Sequence, residues 1–247
     1  MSRLLLEVAV RHQRDVPGCL EGGADRLALV VEGPGGGISP EPAAASTVIR
    51  ASTVPVRVVL RTGAGWATDA DDLDRLAELG REYVELGAEG LVLGFLDRDL
   101  EVDVAACTRL LEALPAVPWT FHRAIDLTLD RVRSWGRLLD LPRLDAVRSA
   151  GSPQGLAHGG DDLIALARRS PEVARLVLAS GGLAAEQVPW LVQAGVRQVH
   201  VGTQVRPGAT YRSYVDAGYV RSWRRLLDDA GARLDGGPGV RAGPSAS

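Results

Sequence analysis

Residues 22–29 read GGADRLAL, residues 86–93 read LGAEGLVL, and residues 194–201 read AGVRQVHV. In each stretch a glycine is placed to end a helix in the left-handed conformation. A small or apolar residue follows, and two residues later a strand-forming run begins. Gly-Ala pairs are common in any alanine-rich chain, but these three fall in register with a longer rhythm. Short β-branched runs occur at 4–8, 26–30, 56–60, 90–93, 119–121, 146–148, 175–178 and 198–201, starting 22 to 34 residues apart. That interval holds a strand, a loop and a returning helix. Six or fewer such units would point to an open doubly wound sheet, whereas eight predict a closed barrel. The fold expected is α/β: a single (β/α)8 TIM barrel with a parallel eight-stranded core, a usual architecture for 247 residues.

The intervening segments support this reading. Residues 70–86 place Leu73, Leu76, Leu79 and Val84 near one helical face, behind an aspartate-rich first turn that suits the helix dipole. Residues 103–114 and 161–169 carry similar stripes, Pro171 is expected to stop a helix, and 213–230 reads as the final helix. The barrel is assigned to residues 1–232. From 233 to 247 the chain is rich in glycine, proline and serine, with little to bury, and is expected to be disordered.

Composition narrows the function. Apolar residues make up 46% and charged residues 24%, as in an ordinary globular domain. A net charge of -3 provides no global field for nucleic acid or acidic lipid, so neither is expected as a partner. No apolar run reaches the roughly 18 residues that a bilayer requires. The opening MSRLLLEVAV turns polar at once and reads as a first strand, which makes the cytoplasm the expected location. The sequence contains no lysine, so all 28 basic residues are arginine and Schiff-base chemistry is excluded. Two cysteines, Cys19 and Cys107, are too few for a thiolate cage and are read as buried helix residues.

Side chains at the carboxyl ends of barrel strands face a common pocket. Here those ends carry Glu7, Arg61, His122, Arg123, Ser149, Ser180 and His200, with Asp126 one turn beyond the fifth strand. Burying such groups costs several kcal/mol per unpaired charge unless they pair or bind something. Glu7 therefore has two readings: a buried ion pair with an arginine inside the barrel, or a member of the pocket. The segment TFHRAID at 120–126 gathers an imidazole, a guanidinium and a carboxylate, suited to proton transfer, anion binding and orientation respectively. His122 equally admits a structural role. Glu7, His122 and Asp126 are the acid/base candidates, and Arg61 and Arg123 form an anion clamp. Ser149, Ser180, Gly181, Gly182, His200, Gly202 and Thr203 complete the rim. The small-residue loops ASGGL at 179–183 and VGTQV at 201–205 occupy the usual phosphate cradle of such barrels, so a phosphate or carboxylate is the expected guest. The glycine-rich stretch 32–42 lacks the GK[ST] ending of a phosphate loop and is expected to cover the barrel mouth as a flap. Trp66 belongs to the rim, lining the pocket or an interface, and His12 and His158 are read as solvated loop residues.

Taken together, LLLEV, GADRL, GGGISP, VVLRTGAGW, GLVLGFLDRDLEVD, TFHRAID, SAGS, LASGGL and QVHVG follow one another across about residues 4–230 in a pattern that resembles the CutC copper-homeostasis family. TFHRA is the most specific of them. The resemblance implies a (β/α)8 barrel in the cytoplasm, self-association into a homodimer or higher homo-oligomer, and copper handling. Glu7, Asp25, Arg26, Arg61, His122, Arg123, Asp126 and His200 stand at matching positions. Where the family often carries cysteines, this chain reads VAVRH and LALVV, and Ala28 replaces a common glutamate. No metal ligand set is assigned, because copper(I) prefers soft ligands. Two functions stay open: a CutC-like copper protein with an anion-binding pocket, and a lyase, isomerase or hydrolase acting on a small phosphorylated or carboxylated metabolite.

Overall fold

In the computed structural model, residues 3–33, 37–63 and 65–235 are described. Eight parallel strands close on themselves in sequence order, each paired to its neighbour and β1 paired back to β8. They are β1 Leu5–Val10, β2 Arg26–Leu29, β3 Val56–Val59, β4 Gly90–Leu93, β5 Trp119–Phe121, β6 Leu144–Ser149, β7 Val177–Ala179 and β8 Gln198–Val201. The helices between and after them are α1 Val16–Gly22, α2 Pro42–Ala51, α3 Ala70–Glu85, α4 Val104–Ala113, α5 Arg131–Leu139, α6 Leu156–Arg169, α7 Pro171–Leu176, α8 Val188–Gln193 and α9 Ala217–Asp235. No helix among the described residues is long and apolar enough to cross a membrane.

The three glycine junctions behave as the sequence requires. Gly23, Gly87 and Gly195 have φ of 87°, 101° and 98°, and strands begin three residues later at Arg26, Gly90 and Gln198. An L-residue with a side chain is strained at that φ, so glycine fixes where each helix stops and each strand starts.

Alternation then sorts the strand residues. Leu6, Val8 and Val10, or Leu91 and Leu93, join the main apolar cluster under the helices. The residues between them face the barrel interior, where Val30, Val59 and Val92 form a small cluster of their own. Much of the remaining interior is polar. Near its amino end Arg57, 1% exposed, donates to both Asp145 oxygens at 2.5 Å, to Thr120 Oγ1 at 2.6 Å and to Glu89 at 3.2 Å.

Three sequence expectations shift. Pro171 does not simply end a helix. It takes the first turn of a new one, α7, capped by the Ser170 side chain accepting from Val173 N–H, and β7 therefore starts at Val177. The last helix begins at Ala217 and runs to Asp235, past the expected boundary at 232; the tail residues 236–247 lie outside the described residues. His158 sits on α6, exposed, and not in a loop, whereas His12 caps a short 3-10 turn. Within the expected flap, residues 34–36 lie outside the described residues; beside them Val31 and Ile38 pair as an antiparallel bridge.

Candidate functional site

A cavity of about 470 Å³ opens at the carboxyl ends of the strands. Arg61, His122, Arg123, Ser180, Gly181, Gly182, His200, Gly202 and Thr203 all line it, as does Trp66. Arg148, Gln204 and Tyr211 also line it, and sequence reasoning did not single them out. Arg148 had a usable signal: it is a charged residue at an inward position of β6, two beyond the inward Ala146. Tyr211 lies in an irregular segment with no periodicity to mark it.

Glu7, Asp126 and Ser149 do not line the cavity. Glu7 lies within β1 and is completely buried beneath it. Its Oε2 accepts from Arg26 Nε at 2.6 Å; its Oε1 accepts from Arg148 Nη2 at 2.8 Å and lies 2.7 Å from His200 Nδ1. The pairing register explains this meeting, because Glu7 stands level with Arg26 on one side and His200 on the other. Burial alone pushes the Glu7 carboxyl up. The two guanidinium groups and the His200 hydrogen bond overcome that and hold it well below the usual carboxylate range. Glu7 is thus a fixed anion under the floor, tied to two of the cavity's side chains.

Asp126 turns away from the cavity for a different reason: its oxygens are already occupied. They accept from Arg123 Nε at 2.8 Å, Ser149 Oγ at 2.6 Å, and the N–H groups of Ala150 and Gly151 at 3.0–3.2 Å. This carboxylate latches the loop after β6 to the turn after β5 and aims Arg123. Arg123 Nη2 also donates to the carbonyls of Ser152 and Pro153 at 2.9 and 3.2 Å. The guanidinium packs on Gly181, where φ is 92° and a Cβ would lie only 2.7 Å from Nη1.

Arg61, 6% exposed, lies over the Trp66 ring at 4.1 Å and donates to the carbonyls of Gly37 and Gly65. Trp66 in turn meets the His122 ring edge-on, with centroids 4.9 Å apart. Gly94 makes room for His122, since a Cβ there would sit 3.1 Å from its Cε1. His122 caps the 3-10 turn at Arg123–Leu127: its Nδ1 accepts the Ala124 N–H at 3.3 Å. Burial, then the nearby Arg61 charge, push its pKa down to about 3. His200 falls to about 4, again through burial first and then Arg148, against the pull of Glu7. Both imidazoles are neutral at physiological pH. Ser180 Oγ is buried without a hydrogen-bond partner among the described residues. One step beyond the pairing Ala179↔Val199, Ser180 stands beside His200 on the inner wall.

Three guanidinium groups and two imidazoles therefore surround one cavity, and no carboxylate among the described residues lines it. Such a wall fits an anion. A thiolate copper site does not fit. Cys19 and Cys107 are fully buried in α1 and α4, burial pushes both thiols up to about 12, and no group of three or more His, Cys, Asp or Glu among the described residues could hold a metal.

Comparison with known proteins gives the same fold and a family. The solved structure of CutC from Streptococcus agalactiae superposes with a TM-score of 0.70 at 24% identity, covering 81% of this chain and 98% of that one. A CutC family protein of Klebsiella pneumoniae (strain 342) is 32% identical over 180 residues, 72% of this chain and 71% of the relative. Another, from Xanthomonas campestris pv. campestris (strain 8004), is 29% identical over 224 residues, 88% of this chain and 93% of the relative. The CutC family profile matches residues 4–205, nearly the whole barrel, and the chain belongs to that family.

Proposed function

We propose that this CutC family member works by binding a small phosphorylated or carboxylated compound in the cavity at the carboxyl face of its barrel. The observation that carries the reading is the one-sided charge of the wall: Arg61, Arg123 and Arg148 with two imidazoles, and no acidic lining group among the described residues. Charge-assisted bonds from such a set recognise phosphate or carboxylate oxygens. The Gly181, Gly182, Gly202 and Thr203 rim lets the backbone come close to them.

The name of the Streptococcus agalactiae relative ties it to copper homeostasis. In this chain that role would run through the anion pocket or a partner, since the two buried thiols stand apart from the cavity and no metal-holding group occurs among the described residues. The two free thiols suit a reducing compartment, in keeping with a cytoplasmic location. Self-association belongs to the same proposal. Leu129 and Val132 are 77% and 74% exposed beside Leu100, an apolar area that a second subunit would cover.

The test is calorimetric titration of inorganic phosphate and sulfate into the purified protein. Binding that weakens roughly tenfold or more in Arg123→Ala, the scale of one charged hydrogen bond, supports the reading. An absence of binding, or affinity unchanged in that variant, overturns it. Copper(I) retained against a competing chelator and lost on replacing Cys19 and Cys107 would overturn the exclusion of a thiol site.

A further inference from the structure

His122 and His200 share one cavity but are held by opposite ring edges. His122 Nδ1 accepts a backbone N–H, so the ring proton of the neutral imidazole must sit on Nε2. His200 Nδ1 faces the Glu7 carboxylate at 2.7 Å, so there the proton sits on Nδ1 and Nε2 keeps its lone pair. Glu7 is already compensated by Arg26 and Arg148, so a further positive charge on His200 would meet two guanidinium groups. Neither Nε2 bonds to a described residue, and both rings line the cavity. One imidazole thus offers a donor and the other an acceptor.

We infer that His200 and His122 form a proton-transfer pair, with His200 Nε2 as base and His122 Nε2–H as acid, acting on a small anionic compound that carries a hydroxyl and a carbonyl on neighbouring carbons. The inference rests on the anion-binding reading of the cavity and adds the reaction class. His200 takes the proton from the carbon bearing the hydroxyl. The C–H electron pair becomes a C=C bond, and the carbonyl π pair moves to oxygen, which receives the His122 Nε2 proton. His122 then takes the proton of the neighbouring hydroxyl as that oxygen becomes the new carbonyl, and the C=C pair collects the proton from His200. Both rings end as they began, and no oxidant, reductant or metal is consumed. Arg61 and Arg148 line the same cavity and would supply positive charge for the oxygen on which negative charge develops. Glu7 does not touch the compound; it is the positioning residue that selects the His200 tautomer.

Nitrogen-15 NMR of histidine-labelled protein near pH 7 tests the pair without any substrate. The expected spectrum shows His122 protonated at Nε2 and His200 at Nδ1, and addition of inorganic phosphate shifts both Nε2 signals. A phosphate-induced shift with the reverse tautomer at either ring, or with either ring as imidazolium, overturns the proton-transfer pair alone. Absence of any shift overturns the anion pocket. The second arm follows solvent deuterium entering the carbon-bound positions of dihydroxyacetone phosphate and ribulose 5-phosphate. The His200→Asn amide nitrogen can still donate to Glu7, and the His122→Asn oxygen can still accept from Ala124. Each change removes the Nε2 function while keeping the hydrogen bond on the Nδ1 side, and should slow exchange by about 10²–10⁴-fold. Exchange no faster in the wild type than in these variants overturns the inference.

Discussion

Acidification from pH 7 to pH 5 should destabilise this protein through two residues, and the size of the effect follows from the site. An unfolded imidazole titrates near 6.5, whereas folded His200 and His122 titrate near 4 and near 3. Across that window the unfolded chain holds protons that the folded chain excludes, so stability falls as the pH is lowered from about 6.5 toward the folded values. Integration between pH 7 and pH 5 gives about 2 kcal/mol lost per histidine, about 4 kcal/mol for the two. Glu7 adds almost nothing there. Its folded pKa lies below the ordinary 4.5, and its contribution is lost only at lower pH. Urea unfolding followed by tryptophan fluorescence at pH 7, 6 and 5 measures the loss directly. The double variant His122→Asn/His200→Asn should have a curve flatter by the same amount. If wild-type stability is unchanged between pH 7 and pH 5, or if the double variant keeps the full slope, the imidazoles are not held neutral in the cavity wall.

Three further outcomes are expected. Glu7→Gln removes the anion that faces Arg26, Arg148 and His200, and should lower stability by about 3–5 kcal/mol in a urea titration; a loss under 1 kcal/mol would contradict a closed ion cluster. Gly181→Ala places a methyl group against the Arg123 guanidinium at a positive φ, costing about 1–2 kcal/mol and weakening phosphate binding by calorimetry; unchanged affinity would mean that Arg123 does not contact the anion. Asp126→Ala should lower stability by about 1–3 kcal/mol and also weaken phosphate binding, because the turn after β5 and the loop after β6 separate; a stability loss at constant affinity would confine the latch to a structural role.

The barrel could be read from residues because its punctuation is local. A left-handed glycine followed by a strand three residues later is a short-range rule, and it held at Gly23, Gly87 and Gly195. The pocket rim was legible for a related reason: strand ends converge in a barrel, so His122, Ser180 and His200 could be placed together from their positions alone. Depth could not be read. Glu7 and Arg61 both belong to strand ends in sequence, yet β1 runs on to Val10 and leaves Glu7 under the floor, whereas Arg61 lies two residues beyond the end of β3 and reaches the wall. Facing direction failed similarly at Ser149 and Asp126, which bond to each other behind the loop after β6. Arg148 closes the short run at 146–148, and its charge marks the pocket only once the inward face of that run is known from β6. α7 was missed because Pro171 both ends and begins helices.

Arg123 joins three separate pieces of the rim. It is gripped by the turn after β5, it grips the loop after β6, and it rests on the first glycine of the loop after β7. Any compound that draws this guanidinium toward itself must pull on all three at once, so occupancy should tighten the mouth in concert and not one segment at a time. The same coupling limits how the pocket can change over time: a new specificity cannot be grafted onto one of these loops while its two neighbours keep their old shape.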